Sequence, residues 1–279
     1  MKSFNKLIIV FMALVTFTMS LLPSAYATDF NKPFSILLMG IDSGGLGRTE
    51  KGRSDVMMVA TVNPDTQEIA VTSIPRDSYV EIPGRGMDKI NHAYAFGGPE
   101  LSLQTVQNWL GIELNDYAVV DMQGLVDMID SVDGIDIVPP ESFEIDGYQF
   151  EEGKSIHLDG DSALAYSRER YNSGGDYARQ ERQRQIILSF IDKVRQESSD
   201  IPSMISVINS LRKFVKTNVS MIDVGKFALK HSDFNPNIEF NQLQGQGFKK
   251  DGIYYEQIDE SSLAQIKDIM TRLLENEES

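Results

Sequence analysis

"SDVMMVATVNPDTQEIAVTSIP", residues 54–75, consists of two strand-like runs, 54–62 and 68–75, around the turn-forming NPDTQ. Asn, Pro and Asp between two such runs favour a tight reversal, which predicts a β-hairpin. The hairpin settles what kind of sheet this chain builds. Upstream, "FSILLMG" (34–40) is a short apolar run ending in glycine and reads as a buried strand. Downstream, "GPELSLQTVQNWLG" (98–111) carries Leu103, Val106 and Leu110 at helical spacing and stops at Gly111. "DYAVVD" (116–121) is another strand, and Asp121 can cap a helix through Leu125–Ile129 that ends near Gly134. "GIDIVPP" closes a further strand. The C-terminal third holds helical segments, two strand candidates (238–244 and 252–258) and a last helix over about 260–275. Strands alternating with helices predict an α/β domain whose central sheet is covered on both faces, and the hairpin makes that sheet mixed. No Pro/Gly/Ser-rich linker divides it, so residues 30–279 are expected to form one domain.

Lys2 and Lys6 precede an apolar run from Leu7 to Leu22, followed by Pro23 and Ala25-Tyr26-Ala27. This pattern predicts an export signal cut after Ala27, or a short retained anchor. In both cases the remainder faces the outside of the plasma membrane. Of 279 residues, 41 are acidic and 26 are Lys or Arg, a net charge of −15; losing the two leading lysines takes it to −17. Such acidity argues against nucleic acid and against simple adhesion to an anionic membrane. The chain has no cysteine, which excludes disulfides, thiol catalysis and cysteine-bound zinc, and its three histidines are widely spaced.

Against this acidity, five of twelve arginines (Arg168, Arg170, Arg179, Arg182, Arg184) fall within seventeen residues. Asp176 is placed to cap a helix running to about Gln196. On that helix Arg179 and Gln183 share one stripe with Ile186, Ile187, Phe190, Ile191 and Val194, while Arg182 and Arg184 flank it. The first turns therefore aim guanidinium groups where later turns aim the core. A buried guanidinium requires an anion. The protein's own acids can supply one. So can a phosphate ligand, favoured by the helix terminus, by the fit of a guanidinium fork to phosphate and by the Gly174-Gly175 break.

Other constellations add to this. "MGIDSGGLGRTEKGRSD" places Asp42 at the end of the first strand and Asp55 at the start of the next, with Arg48 and Arg53 between them. Ligand sites of α/β sheets gather at carboxyl ends of strands, and two carboxylates beside phosphate-binding arginines suit Mg²⁺. Each Asp alone reads as readily as a turn or cap residue, and the stretch is not a Walker loop. Arg76 and Asp77 follow a strand in "SIPRDSYV"; Lys89, Asn91 and His92 precede a helix in "DKINHAYAFGG".

Taken in order, "LLMGIDS…GRSDVMMVATVNP", "SIPRDSYVEIPG", "KINHAYAFGG", "ALAYSRER" and "GDYARQERQRQ" resemble the LytR–CpsA–Psr family over about Phe34 to Lys193. The resemblance implies a three-layer α/β/α sandwich with an apolar tunnel for a lipid. It also implies an extracytoplasmic phosphotransferase of a Gram-positive-type envelope. Such an enzyme moves an anionic glycopolymer, with one phosphate, from a polyprenyl-diphosphate carrier at the outer leaflet to peptidoglycan, typically the C6 hydroxyl of N-acetylmuramic acid. By the same resemblance Asp42 and Asp55 are the acidic pair near Mg²⁺ (or Mn²⁺) and the acceptor. Arg53, Arg76, Arg168, Arg170, Arg179, Arg182 and Gln183 match diphosphate-holding positions, with Arg76 also catalytic, and Lys89 matches one near the donor head group. The short N-terminal run departs from the family's retained helix, and the stretch after Arg195 matches less distinctly. A polyprenyl-diphosphate hydrolase and a non-catalytic glycan-binding or regulatory protein are the rival readings.

Overall fold

The strands expected at 34–40 and 54–75 form as β1 (Phe34–Ile41), β2 (Ser54–Asn63) and β3 (Glu68–Ser73) in a computed structural model that describes residues 28–43, 52–170, 175–197, 211–231, 234 and 236–275. The signal or anchor at 1–27, Arg48 and Gly174 lie outside these residues. The hairpin pairs Asn63 with Glu68 and Met58 with Ser73. Its turn is held by Asn63, whose side-chain oxygen accepts the amides of Asp65 (3.0 Å) and Thr66 (3.1 Å). Gln67 closes it at φ 57°, the left-handed conformation that brings the chain into the return strand.

The next elements are β4 (Tyr79–Ile82), β5 (Gly86–Lys89), α1 (His92–Leu110), β6 (Asp116–Asp121), α2 (Met122–Asp130) and β7 (Ile135–Ile137). Then come β8 (Phe143–Ile145), β9 (Tyr148–Phe150), β10 (Ile156–Leu158), α3 (Gly160–Arg168) and α4 (Gly175–Glu197). The chain closes with β11 (Val215–Thr217), α5 (Met221–Lys230), β12 (Asn237–Gln242), β13 (Gly245–Lys250), β14 (Ile253–Ile258) and α6 (Glu260–Leu274). The main sheet runs β11-β6-β1-β2-β3-β12. β1 lies parallel to β6 and β3 to β12, while the remaining neighbours are antiparallel, so the sheet is mixed as expected.

Alternation along the strands sorts the core into two layers. Ile36, Met58, Ala60, Val71 and Ala118 face one way, against α2, α3, α4 and α5 through Ile129, Ala163, Phe190 and Phe227. Leu37, Met39, Met57, Val59 and Val119 face the other, against α1 and α6 through Val106, Leu110, Ile266 and Met270. The result is an α/β/α sandwich, with each fully buried apolar side chain contributing roughly 1.5–3 kcal/mol. Where the sequence suggested a helix from residue 98, α1 starts at His92 and kinks at Gly98 (φ 72°) just before Pro99. Gly111, in the left-handed conformation, ends it by donating its amide to Gln107 O (2.8 Å). The small hairpins β4–β5, β8–β9 and β13–β14 pack outside the main sheet.

Asp116, at the head of β6, is a buried carboxyl that accepts a hydrogen bond from Thr28. Burial pushes its pKa up to about 6; the Thr28 bond opposes this and the charge of Asp223 adds to it. A carboxyl whose folded pKa is raised stabilises the fold below about pH 4, and that contribution is lost as pH rises through about 6. Asp116→Asn is therefore expected to stabilise the protein by about 1–3 kcal/mol at pH 7.5 and by nothing at pH 4. Thermal melts of both variants across that range measure it.

Candidate active site

One cavity of about 750 Å³ opens at the carboxyl ends of the parallel pair β1 and β6 and runs inward between the sheet and its helical cover. Its inner wall is apolar. Leu38, Val56, Met58, Ala118 and Val120 come from the sheet, Leu125, Met128 and Ile129 from α2, Leu164 from α3, and Ile186, Ile187 and Phe190 from α4. Its mouth carries Asp42, Arg53, Asp55, Arg76, Asp77, Lys89, Asp121, Arg168, Arg170 and Arg179. Six cations against four carboxylates give the mouth a local charge of +2 on a chain of −15.

The register of β1 and β2 explains how Asp55 reaches the same mouth as Asp42. Gly40 pairs with Val56 and Ile41 with Ser54, so Asp55 is the extra residue of a β-bulge. Bulges turn a side chain away from its regular alternation, and this one brings Asp55 to the mouth beside the residues that follow β1. There Asp42 donates its amide to Arg53 O (3.1 Å) and accepts the Arg53 amide on Oδ1 (2.6 Å).

Arg76 stands in the loop after β3, with its Nη1 2.8 Å from Asp55 Oδ2 and its Nε 3.7 Å from Asp77 and 3.8 Å from Asp176. Burial acts to lower its pKa, but Asp55, Asp77 and Asp176 outweigh it and raise the value. Arg179 is 5% exposed; burial lowers its pKa against the pull of Asp176, 2.5 Å from Nη2. Its Nε is buried with no hydrogen-bond acceptor. Asp176 itself sits within the first turn of α4 rather than before it, where its carboxylate meets Arg179, Gln180 (3.3 Å) and Arg76. Lys89 closes the mouth from the end of β5, with Nζ 2.7 Å from Asp77. Arg168, the last residue of α3, pairs with Asp146 at 2.9 Å, and Arg170 follows on the same wall. Gln183 donates to Ser167 O (3.3 Å), and its buried Oε1 has no donor.

The shared stripe on α4 forms as the sequence suggested. Arg179 and Gln183 face the mouth, and Ile186, Ile187 and Phe190 continue the same wall into the apolar end. Arg182 is the exception. Unlike the other arginines matched to diphosphate-holding positions, it does not line the cavity. Its guanidinium is 0% exposed, bonded to Glu141 (3.0 Å) and Glu169 O (2.5 Å), and stacked 5.1 Å from the centre of the Phe143 ring. Three residues on from Arg179, it is turned 60° away, into the seam between α4 and the β8–β9 hairpin.

Four mouth residues were not singled out as site residues from the sequence. Asp121 ends β6 as Asp42 follows β1, and two parallel strands each closed by Asp were a readable signal. Its Oδ1 also caps α2 through Gly124 N (2.7 Å). Asp77 and Asn91 lie inside quoted motifs; Asn91 donates to Asp55 Oδ1 at 3.4 Å. Tyr254, on β14, had no signal at all.

Among the described residues no group of three or more His, Cys, Asp or Glu forms a metal cage, and no helix is long and apolar enough to cross a membrane. Asp42 and Asp55 both stand at the mouth and are of the donor type that suits an ion such as Mg²⁺, which takes its other ligands from water and phosphate.

A model of the LytR_cpsA_psr family matches residues 16–272. The polyisoprenyl-teichoic acid–peptidoglycan teichoic acid transferase TagU of Enterococcus faecalis is 44% identical over 238 residues, 85% of this chain and 78% of its own. The crystal structure of B. subtilis TagU superposes with a TM-score of 0.68 at 37% identity, covering 89% of this chain and 99% of that one. A structure of TagT bound to LI-WTA superposes with a TM-score of 0.72 at 26% identity, covering 91% and 94%.

Proposed function

The chain belongs to the LytR–CpsA–Psr family, and from that premise we propose that it is a cell-wall glycopolymer transferase. In this reading it takes an anionic glycopolymer from a polyprenyl-diphosphate carrier and joins it, with one phosphate, to a hydroxyl of peptidoglycan at the outer face of the membrane. The relatives' activity supports the class of reaction. The observation that carries the substrate is the continuity of the cavity, in which one wall of α4 changes from Arg179 and Gln183 to Ile186, Ile187 and Phe190. A diphosphate with an isoprenoid tail has the same two-part character.

Phosphoryl transfer is mostly positioning and neutralisation of charge. Arg76 and Arg179, with Arg168, Arg170 and Arg53 around them, hold the diphosphate, and Lys89 stands toward the donor head group. The acceptor oxygen forms a bond to the phosphorus that bears the glycopolymer. The bridging P–O bond breaks, and polyprenyl phosphate leaves with its electron pair. The hydroxyl proton passes to one of the two carboxylates, Asp42 or Asp55. These two residues would also hold Mg²⁺, which supplies neutralisation of the diphosphate oxygens when bound. Arg76 already bridges to Asp55, so a diphosphate that engages Arg76 loosens that carboxylate for its task.

The test incubates purified protein with a lipid-linked oligosaccharide, Mg²⁺ and peptidoglycan fragments. A glycan–phosphate–peptidoglycan adduct is expected. Release of free glycan phosphate without an adduct indicates hydrolysis and overturns transfer, and unchanged substrate indicates a binding protein. Ala118→Phe, which fills the apolar end, is expected to raise KM at least about tenfold for a long-tailed donor. A donor with a single isoprene unit should be unaffected, and equal losses for both would remove the lipid from this cavity.

A further inference from the structure

Tyr254 lines the mouth of the cavity although its strand belongs to the outlying β13–β14 hairpin. It is 44% exposed, yet its hydroxyl is turned inward and donates to Glu256 Oε2 at 3.2 Å. Glu256 is buried, and its other oxygen accepts the hydroxyl of Tyr177 from the first turn of α4. The Glu256 amide donates to Asp77 O at 2.9 Å, and Glu256 forms a parallel bridge with Ser78. The hairpin is thereby stitched both to the loop that carries Arg76 and Asp77 and to the helix that carries Arg179.

The back of the ring is fixed as well. A Cβ on Gly247 would stand 2.5 Å from Tyr254 Oη and 2.6 Å from Cε2, so the phenol end lies directly against the glycine backbone. Lys89 Nζ sits 6.0 Å from the ring centre and is anchored to Asp77. An aromatic ring held by its hydroxyl and its rear, with the remainder open beside the diphosphate-binding arginines, is a preorganised flat surface.

We infer that Tyr254 is the stacking platform for a pyranose ring adjacent to the transferred phosphate, with Lys89 at its edge to meet sugar oxygens. The C–H face of a pyranose is apolar and matches the ring, while its hydroxyls require donors and acceptors around the rim. The inference rests on the proposed transfer at the same mouth. The pyranose comes either from the donor glycan or from the peptidoglycan acceptor.

Steady-state kinetics of Tyr254→Ala and Tyr254→Phe, with a polyprenyl-diphosphate disaccharide and a soluble peptidoglycan fragment varied in turn, test it. Binding of sugar-free polyprenyl diphosphate is measured alongside. Tyr254→Ala is expected to raise KM for one of the two saccharides roughly tenfold, with kcat within about threefold and sugar-free binding unchanged. The substrate whose KM rises identifies the source of the ring. Tyr254→Phe keeps the stacking surface and is expected to remain within about threefold of wild type in KM. Unchanged KM for both saccharides in Tyr254→Ala overturns the platform, as does an equal loss of sugar-free binding, which would mark Tyr254 as support for the arginines. If wild type transfers nothing but binds the disaccharide in a Tyr254-dependent way, the platform stands and the transfer reading falls.

Discussion

Arg76→Ala is expected to lower transfer by roughly a thousandfold, the scale on which single arginines act in phosphoryl transfer. The residue is mostly buried at the mouth, in contact with Asp55 and within 4 Å of Asp77 and Asp176. Removing it takes away the guanidinium nearest the acidic pair and leaves three carboxylates facing the incoming diphosphate with less compensation. Both losses act in the same direction. Arg76→Lys should recover little, because an ammonium lacks the planar fork that spans two oxygens. Initial rates on lipid-linked donor, with a thermal melt to show that the variant is folded, decide the matter. A folded Arg76→Ala protein within tenfold of wild type would displace Arg76 from the reaction.

Arg182→Ala is expected to fail in a different way, by loss of stability. Its guanidinium is completely enclosed between Glu141, the Glu169 carbonyl and the Phe143 ring. Truncation leaves a carboxylate and a carbonyl without their donor and a hole beside Phe143, a change that costs about 3–5 kcal/mol. In a domain of this size that lowers Tm by about 10 °C. Arg179→Ala, three residues earlier, should fall first on diphosphate binding. Chemical denaturation of both variants separates the two roles, and an Arg182→Ala protein as stable as wild type would show that the enclosed pair contributes nothing.

That contrast shows what the sequence can and cannot reveal. The hairpin at 54–75, the first strand and the stripe on α4 were legible because local periodicity records which face is buried. Arg179 could be placed on the stripe for the same reason. Arg182 stands 60° from Arg179 on a helical projection, and only the packing of β8–β9 against α4 decides that it points into protein rather than into the cavity. Asp55 was legible as an acid at a strand end, but the bulge that re-aims it depends on its pairing partner. The convergence of Arg76 with Arg179, about a hundred residues apart, comes from sheet order and has no local trace. Nor does the placement of Tyr254, which depends on a buried glutamate reaching two tyrosines from separate elements.

The arginines at the mouth are already engaged by the chain's own acids, Arg76 by Asp55 and Arg179 by Asp176. Small soluble anions such as inorganic phosphate must therefore compete with built-in rivals and bring no hydrocarbon to offset the exchange. On the proposed function, a tailed diphosphate meets the same competition but gains added affinity from the apolar inner wall of Ile186, Ile187 and Phe190. The pairing would then act as a filter that disfavours small free anions relative to a diphosphate carrying an apolar tail.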